Sequence, residues 1–158
     1  MRTLRGFTLI ELIVVIAVLG ILLGIGVPSM MQLVAQSRVS SAATDLHLAL
    51  QSARSMALTQ RRKVSVCPAD GTSCLNAQDW SAGWATYLGG ADGARTQAHA
   101  LSGVAVSSEE DTLTYNALGF LEPTTPRAIQ FSASNGMAVR WVCVFPSGSA
   151  SVSREPCA

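Results

Sequence analysis

An acidic residue inside an apolar run is the first feature of the sequence that calls for a chemical explanation. Glu11 stands just before a segment, Leu12 to Ser37, that contains no Asp, Glu, Lys or Arg. A charged side chain within a membrane helix costs about 2.5 to 3.5 kcal/mol to insert, so a cationic partner is expected for Glu11. The alternative is that its carboxylate reaches the lipid headgroups from the edge of the membrane.

Four cysteines form the second set of side chains that could do chemistry, and all of them follow the apolar segment. They are Cys67, Cys74, Cys143 and Cys157. If the apolar segment crosses a membrane, these thiols lie in an oxidising compartment, where two disulfides are the expected outcome. Four cysteines allow three pairings. A zinc site is the rival interpretation, but the sequence contains no C-x-x-C pair.

The other side chains that could serve catalysis do not form a recognisable active-site pattern. His47 and His99 have no partner pattern, and no serine lies in a nucleophile elbow. Gly89 and Gly90 are not followed by the Lys-Ser/Thr of a phosphate-binding loop. We therefore expect neither an enzyme nor a cofactor, and no metal.

Composition and charge narrow the class of protein further. Charged residues make up 13% of the 158 residues, against a usual share of about 25%. The formal net charge is +1, and without Arg2 and Arg5 it becomes 9 minus 10, or −1. No basic field indicates nucleic-acid binding. The acidic run from Glu109 to Asp111 is interpreted as a solvated loop. The three tryptophans are interpreted as residues of the core or of inter-subunit packing rather than as a ligand surface.

The apolar segment is long enough to cross a membrane. Continued to Met31, it spans the roughly 30 Å of a bilayer core at about 1.5 Å per helical residue. Arg2 and Arg5 precede it and no basic residue follows before Arg38, which places the N-terminus in the cytoplasm. The region after the apolar core is a poor signal-peptidase site, so any cleavage belongs before that core.

The residues just before the apolar core resemble a motif of a known family. Arg5-Gly6-Phe7-Thr8-Leu9-Ile10-Glu11 joins a short basic leader ending in glycine to an apolar run with an early carboxylate. This resembles the class III signal of type IV pilin-like proteins. The resemblance implies that a prepilin peptidase cuts after Gly6 and methylates the new N-terminus at Phe7.

The same resemblance gives Glu11 its expected partner. Cleavage creates an α-amine at Phe7, which is largely cationic at neutral pH. In pilin-like filaments this carboxylate meets the N-terminal amine of a neighbouring subunit and sets the register of assembly. Pro28 stands where these proteins often break the helix.

Beyond Pro28 the sequence predicts a second helical half followed by strands. Apolar side chains recur every three or four residues and indicate an amphipathic helix to about Gln60; they are Val39, Ala43, Leu46, Leu50, Ala53 and Ala57. The cluster Arg61-Arg62-Lys63 suits the helix C-terminus, where cations offset the helix dipole. From there on, short alternating segments separated by turn residues indicate antiparallel strands.

The predicted strands are Lys63–Cys67, Trp84–Leu88, Val104–Ser107, Thr112–Tyr115, Ala128–Ser132, Ala138–Phe145 and Ala150–Ser153. The expected fold is therefore α+β: a long N-terminal helix packed on a C-terminal antiparallel β-sheet domain. The expected divisions are a leader at 1–6, a transmembrane half-helix at 7–31, an amphipathic half-helix at 32–62 and a periplasmic β-rich domain at 63–158.

A second set of motifs resembles the GspH/FimT branch of the pilin-like group. They are Arg54-Ser55-Met56-Ala57, Cys67-Pro68 through Cys74, and Asp79-Trp80-Ser81-Ala82-Gly83-Trp84. The likeness is weaker after Leu88, where Ser147-Gly148-Ser149 lacks the arginine of the SGR-like turn that family members often carry. Cys67–Cys74 and Cys143–Cys157 are the favoured disulfides. A plain hairpin would put Val152 opposite Cys143, so the second disulfide requires the C-terminal tail to fold back.

The resemblance implies a minor pilin that joins other minor subunits and the major pilin, primes assembly of a type IV pilus and lies at or near its tip. The alternatives are a minor pseudopilin of type II secretion and a DNA-binding minor pilin of natural transformation. The basic residues after the helix are scattered, so DNA is not expected as a partner. The expected location is the inner membrane, crossed once, and then the pilus.

Overall fold

The computed structural model describes residues 9–69, 74–75, 77–91, 93–101, 103–122, 124–134, 136 and 138–157, with the backbone alone at 25, 28, 94 and 96–100. The chain divides into two compact units whose boundary falls between Val34 and Ala35. Gly6 and Phe7 lie outside the described residues.

The first unit contains the N-terminal part of α1 (Leu9–Gln60). The helix continues without interruption across Pro28, so the expected break at this residue is corrected. Proline lacks an N–H and removes one hydrogen bond from a helix. Within a long apolar helix, local adjustments can satisfy the backbone groups around a proline, so the helix continues past it.

The second unit begins with the amphipathic part of α1. The predicted apolar stripe is confirmed, because Val39, Ala43, Leu46, Leu50, Ala53 and Ala57 are each 0% exposed. After Gln60, Arg61 adopts a φ of +51°, a left-handed conformation that ends the helix. The chain then turns directly into the first strand.

Nine strands are found among the described residues. They are β1 (Val64–Pro68), β2 (Gly83–Leu88), β3 (Ala94–Ala100), β4 (Val104–Ser108), β5 (Leu113–Tyr115), β6 (Leu121–Glu122), β7 (Arg127–Ala133), β8 (Val139–Val144) and β9 (Ala150–Ser153). They form one antiparallel sheet in the order β3-β2-β1-β5-β6 and another in the order β4-β7-β8-β9. The α+β prediction is confirmed.

Both sheets and the helix contribute to one hydrophobic core. Buried side chains of α1, of β1 and β2, and of β4, β7 and β8 form a single cluster. Trp84 of β2 meets Phe131 of β7 edge to face, with ring centroids 6.3 Å apart, so the two sheets contact each other directly. Trp80 is also fully buried, whereas Trp141 lies half-buried on the face of β8 opposite Val142 and Val144.

Two strands were not predicted from the sequence. The segment of β3, ARTQAHA, has no run of large apolar residues, and β6 has only two residues. Both owe their extended conformation to pairing, β3 with β2 and β6 with β5. Tertiary pairing therefore decides their structure, which local propensity leaves open.

The last hairpin differs from its predicted register by one residue. Ser151, not Val152, pairs with Cys143. The turn explains the difference, because the Phe145 N–H donates to the Ser149 carbonyl and the Gly148 N–H donates to the Phe145 carbonyl. Val152 therefore pairs with Val142 instead.

The structure joins Cys67 to Cys74 and Cys143 to Cys157, with Cα–Cα distances of 5.6 Å in both pairs. The second disulfide anchors the segment after β9 to the outer side of β8. The first closes the connection between β1 and the loop that leads to Trp80.

Candidate assembly site

The N-terminal part of α1 presents apolar side chains on every side. From Leu9 to Val34, its described large apolar side chains are between 45% and 76% exposed. In water such a surface is strongly unfavourable, at about 25 cal/mol per Å². Among the described helices, α1 has the length and composition needed to cross a membrane. The segment therefore needs a bilayer or other helices around it.

Glu11 lies in the first turn of this helix. A carboxylate at a helix N-terminus interacts favourably with the partial positive charge of the helix dipole. Its neighbours Ile10 and Leu12 are exposed apolar side chains. The Glu11 carboxylate thus stands at the end of the apolar helix, four residues after Phe7 in the sequence.

In the second unit, Arg54 connects α1 to two loops. Its Nε donates to the Gly119 carbonyl at 3.1 Å, and its NH2 group donates to the Ser147 carbonyl at 2.8 Å. Gly119 lies in the loop between β5 and β6, and Ser147 in the loop between β8 and β9. The sequence motif includes Arg54 but assigned it no role, because both of its acceptors are backbone carbonyls that no residue type marks.

The two loops approach each other so closely that only glycine fits at Gly148. A Cβ built there would overlap the Gly119 carbonyl oxygen and lie 2.9 Å from Arg54 Nε, and the φ of Gly148 is +79°. The Leu121 N–H also donates to the Pro146 carbonyl at 3.1 Å. Helix and loops are therefore held together by main-chain hydrogen bonds and the Arg54 side chain.

Tyr115 lies in the core near Arg54. Its hydroxyl is buried and has no hydrogen-bond partner among the described residues. Burial raises the pKa of Tyr115 above its ordinary value, and the Arg54 charge opposes that effect. The phenol is therefore neutral at physiological pH and acts as a packing residue.

The motif from Asp79 to Trp84 builds the crossing between the two sheets. The Trp80 N–H donates to the Val106 carbonyl at 2.9 Å, which pairs this segment with β4. The Asp79 carboxylate accepts the Ser81 N–H at 2.8 Å, and side-chain and backbone hydrogen bonds from Ser81 lower the pKa of Asp79. Gly83 has a φ of +117°, which explains why glycine precedes Trp84.

The acidic run is a loop in which Glu109 and Asp111 are exposed, as predicted, but Glu110 is half-buried. Glu110 forms an ion pair with Arg127, and both side chains are largely buried, with exposures of 28% and 18%. Its carbonyl also accepts the indole N–H of Trp80 at 3.1 Å. The sequence did not indicate these contacts, because the residues that bind Glu110 are distant from it along the chain.

Two family models match the sequence of this chain. The family described as "Type II transport protein GspH" matches residues 42–148, which extends the likeness well beyond Leu88. The prokaryotic N-terminal methylation motif matches residues 1–27. The second match contains Gly6, Phe7 and Glu11.

Solved structures of the type IV minor pilin FimU from Pseudomonas aeruginosa are similar to this chain. One crystal form is 27% identical, covers 75% of this chain and 96% of FimU, and has a TM-score of 0.59. A second form, 24% identical over 77% of this chain and 93% of FimU with a TM-score of 0.61, supports the fold alone. With its α+β fold and the extent of these matches, the chain belongs to the GspH family of pilin-like proteins and carries their N-terminal methylation motif.

Proposed function

We propose that this protein is a minor pilin of a type IV pilus, a subunit that joins other minor subunits in the inner membrane and primes assembly. The likeness to FimU, which covers 96% of that chain, carries the proposal. The apolar helix and the methylation motif support it, because a filament subunit must be stored in a membrane before it is assembled. Placement at or near the pilus tip is part of the proposal.

Processing is the first step of the proposed mechanism. A prepilin peptidase cuts between Gly6 and Phe7 and methylates the Phe7 amine. Arg2 and Arg5 favour a cytoplasmic N-terminus, which places the second unit in the periplasm. The two disulfides suit that oxidising compartment.

Charge attraction between subunits is the second step. The Glu11 carboxylate attracts the Phe7 amine of a neighbouring subunit, and the low dielectric constant of the membrane strengthens this attraction. Because Glu11 has a fixed position on α1, the contact sets how far one helix is displaced along the next. The apolar surface of α1 then packs against other helices.

A minor pseudopilin of type II secretion is the second candidate function. The description of the matched family favours it, since that family is named for type II transport. Both candidates use the same processing and the same helix contacts. They differ in the filament that contains the subunit, so piliation and protein secretion must be scored side by side.

Removal of the Glu11 charge tests the proposed assembly step. In a strain that lacks the gene, we expect Glu11→Gln protein to be processed and to reach a normal level in the membrane. The amount of partner subunit that co-purifies with this variant from detergent should fall about tenfold or more. This decrease corresponds to the loss of about 1.4 kcal/mol of attraction. Piliation should fall with it, while secretion of enzymes should remain intact.

Glu155→Gln is the matched control. It removes an exposed acidic side chain outside the apolar helix, and it should restore piliation fully. If Glu11→Gln protein restores piliation and partner recovery to the wild-type level, Glu11 does not set the register. Loss of secretion with intact pili in the deletion strain would instead favour the pseudopilin.

A further inference from the structure

We propose that Leu58, Leu118 and Phe120, together called the docking knob, bind an apolar surface on the globular domain of a different pilin-type subunit that lies beside this chain. This inference rests on the proposed function. Leu118 is 71% exposed, Phe120 is 50% exposed and Leu58 is 47% exposed. A cluster of large apolar side chains at the surface of a folded domain marks an interaction site.

The three residues of the docking knob come from the end of α1 and from one loop that packs against it. Leu118 and Phe120 flank Gly119 in the loop between β5 and β6. The Leu58 side chain lies against this glycine, because a Cβ built on Gly119 would be 3.0 Å from Leu58 Cδ2. The helix and the loop thus contribute to one apolar surface.

Hydrogen bonds organise the loop that carries the docking knob. The Asn116 side-chain oxygen accepts the N–H groups of Leu118 at 2.9 Å and Phe120 at 3.1 Å. The Asn116 N–H donates to the Phe120 carbonyl, and the Gly119 N–H donates to the Asn116 carbonyl, both at 2.9 Å. Arg54 fixes the Gly119 carbonyl from the helix side. Such pre-organisation lowers the entropic cost of binding.

The surroundings of the docking knob resemble a protein interface. Two residues after Phe120, the carboxylate of Glu122 lies 2.7 Å from Lys63 Nζ, and both side chains are about half exposed, at 41% and 58%. An apolar centre with a charged rim is the usual arrangement of a protein–protein contact. Leu58 also ends an exposed stripe on α1 that runs along Ser37, Ser41, Thr44, Leu48, Gln51 and Ser55.

The size of the docking knob limits the kind of contact that it can form. Three side chains cannot supply the roughly 800 Å² per partner of a stable free complex. The contact therefore suits a subunit that other contacts already hold nearby, as the apolar helices of membrane-stored pilins would. Under that restraint a small contact acts at a high effective concentration. Because the stripe on α1 leads to the knob, the occupant lies along α1 and reaches the loop with its globular domain.

The test uses the full-length protein in its native membrane. Leu118→Ser combined with Phe120→Ser should lower the recovery of pilin-type partner subunits from detergent about tenfold, as expected for loss of apolar hot-spot residues. Processing at Gly6 and the melting temperature should stay at wild-type values, because both side chains are exposed. Leu118→Ser alone should give a smaller loss in the same direction. The matched control Val152→Ser, which changes an exposed apolar residue on β9, should have no effect.

Each other outcome has a definite meaning. Undiminished recovery of partner subunits with the double variant overturns the docking knob and leaves the proposed function standing. Loss of a second copy of this chain, with other pilin-type subunits retained, overturns the assigned occupant. If no pilin-type subunit co-purifies with the wild-type protein, the proposed function fails and this inference fails with it.

Discussion

Replacement of Gly148 by alanine should destabilise the folded domain by about 3 kcal/mol or more. A side chain at a positive φ costs about 1 to 2 kcal/mol, and the forced shift of packed groups adds about 1 to 3 kcal/mol. The new Cβ would overlap the Gly119 carbonyl oxygen and press on Arg54. Neither group can move aside easily. The Gly119 oxygen belongs to the main chain, and the Arg54 side chain is held by two hydrogen bonds.

The measurement is thermal unfolding of the full-length protein in detergent, followed by tryptophan fluorescence. Trp80 and Trp84 are 0% and 2% exposed, so their emission reports on the core. We expect a melting temperature lower by roughly 10 °C. Gly136→Ala is the matched control, because Gly136 has a φ of +68° and no heavy atom within 4 Å of its built Cβ. Equal losses for both variants would show that the Arg54-linked loops do not limit stability.

Replacement of Gly6 by valine should abolish processing. A peptidase site that closes on glycine tolerates little more than a very small side chain, and valine adds a branched one. The precursor should therefore remain in the inner membrane with residues 1–6 attached, without a methylated Phe7. The uncleaved precursor has no free amine at Phe7 that could attract the Glu11 carboxylate of a neighbouring subunit. Piliation should therefore fall to the level of the deletion strain.

Immunoblotting of membranes checks this result through the change in apparent mass. Gly20→Val is the control, since it places the same side chain at another glycine of the apolar segment with no heavy atom within 4 Å of its built Cβ. That protein should be processed normally. Efficient cleavage of Gly6→Val would remove the assigned role of Gly6.

The features that the sequence predicted well depend on repeated local patterns. The apolar stripe from Val39 to Ala57 has helical spacing, and each of its six residues is buried. Most strands were found because turn residues bound their alternating segments. The motif at residues 1–27 could be identified because peptidase recognition acts on a contiguous segment, which needs no tertiary structure.

The features that the sequence did not predict depend on contacts between distant residues. Arg54 binds main-chain carbonyls 65 and 93 positions away, and any residue type could supply such acceptors. The ion pair of Glu110 with Arg127 joins two segments that were interpreted separately. The strand β3 follows from pairing with β2, and the one-residue difference at Cys143 follows from the geometry of one turn.

The proposed function requires this chain to be a processed subunit of a type IV pilus. Intact-mass spectrometry of pili sheared from cells tests it most directly. We predict a minor species whose N-terminal residue is Phe7 carrying one methyl group, with the cysteines joined as Cys67–Cys74 and Cys143–Cys157. A mass that includes residues 1–6, or detection of the chain only in type II secretion complexes and never in pili, would contradict the claim.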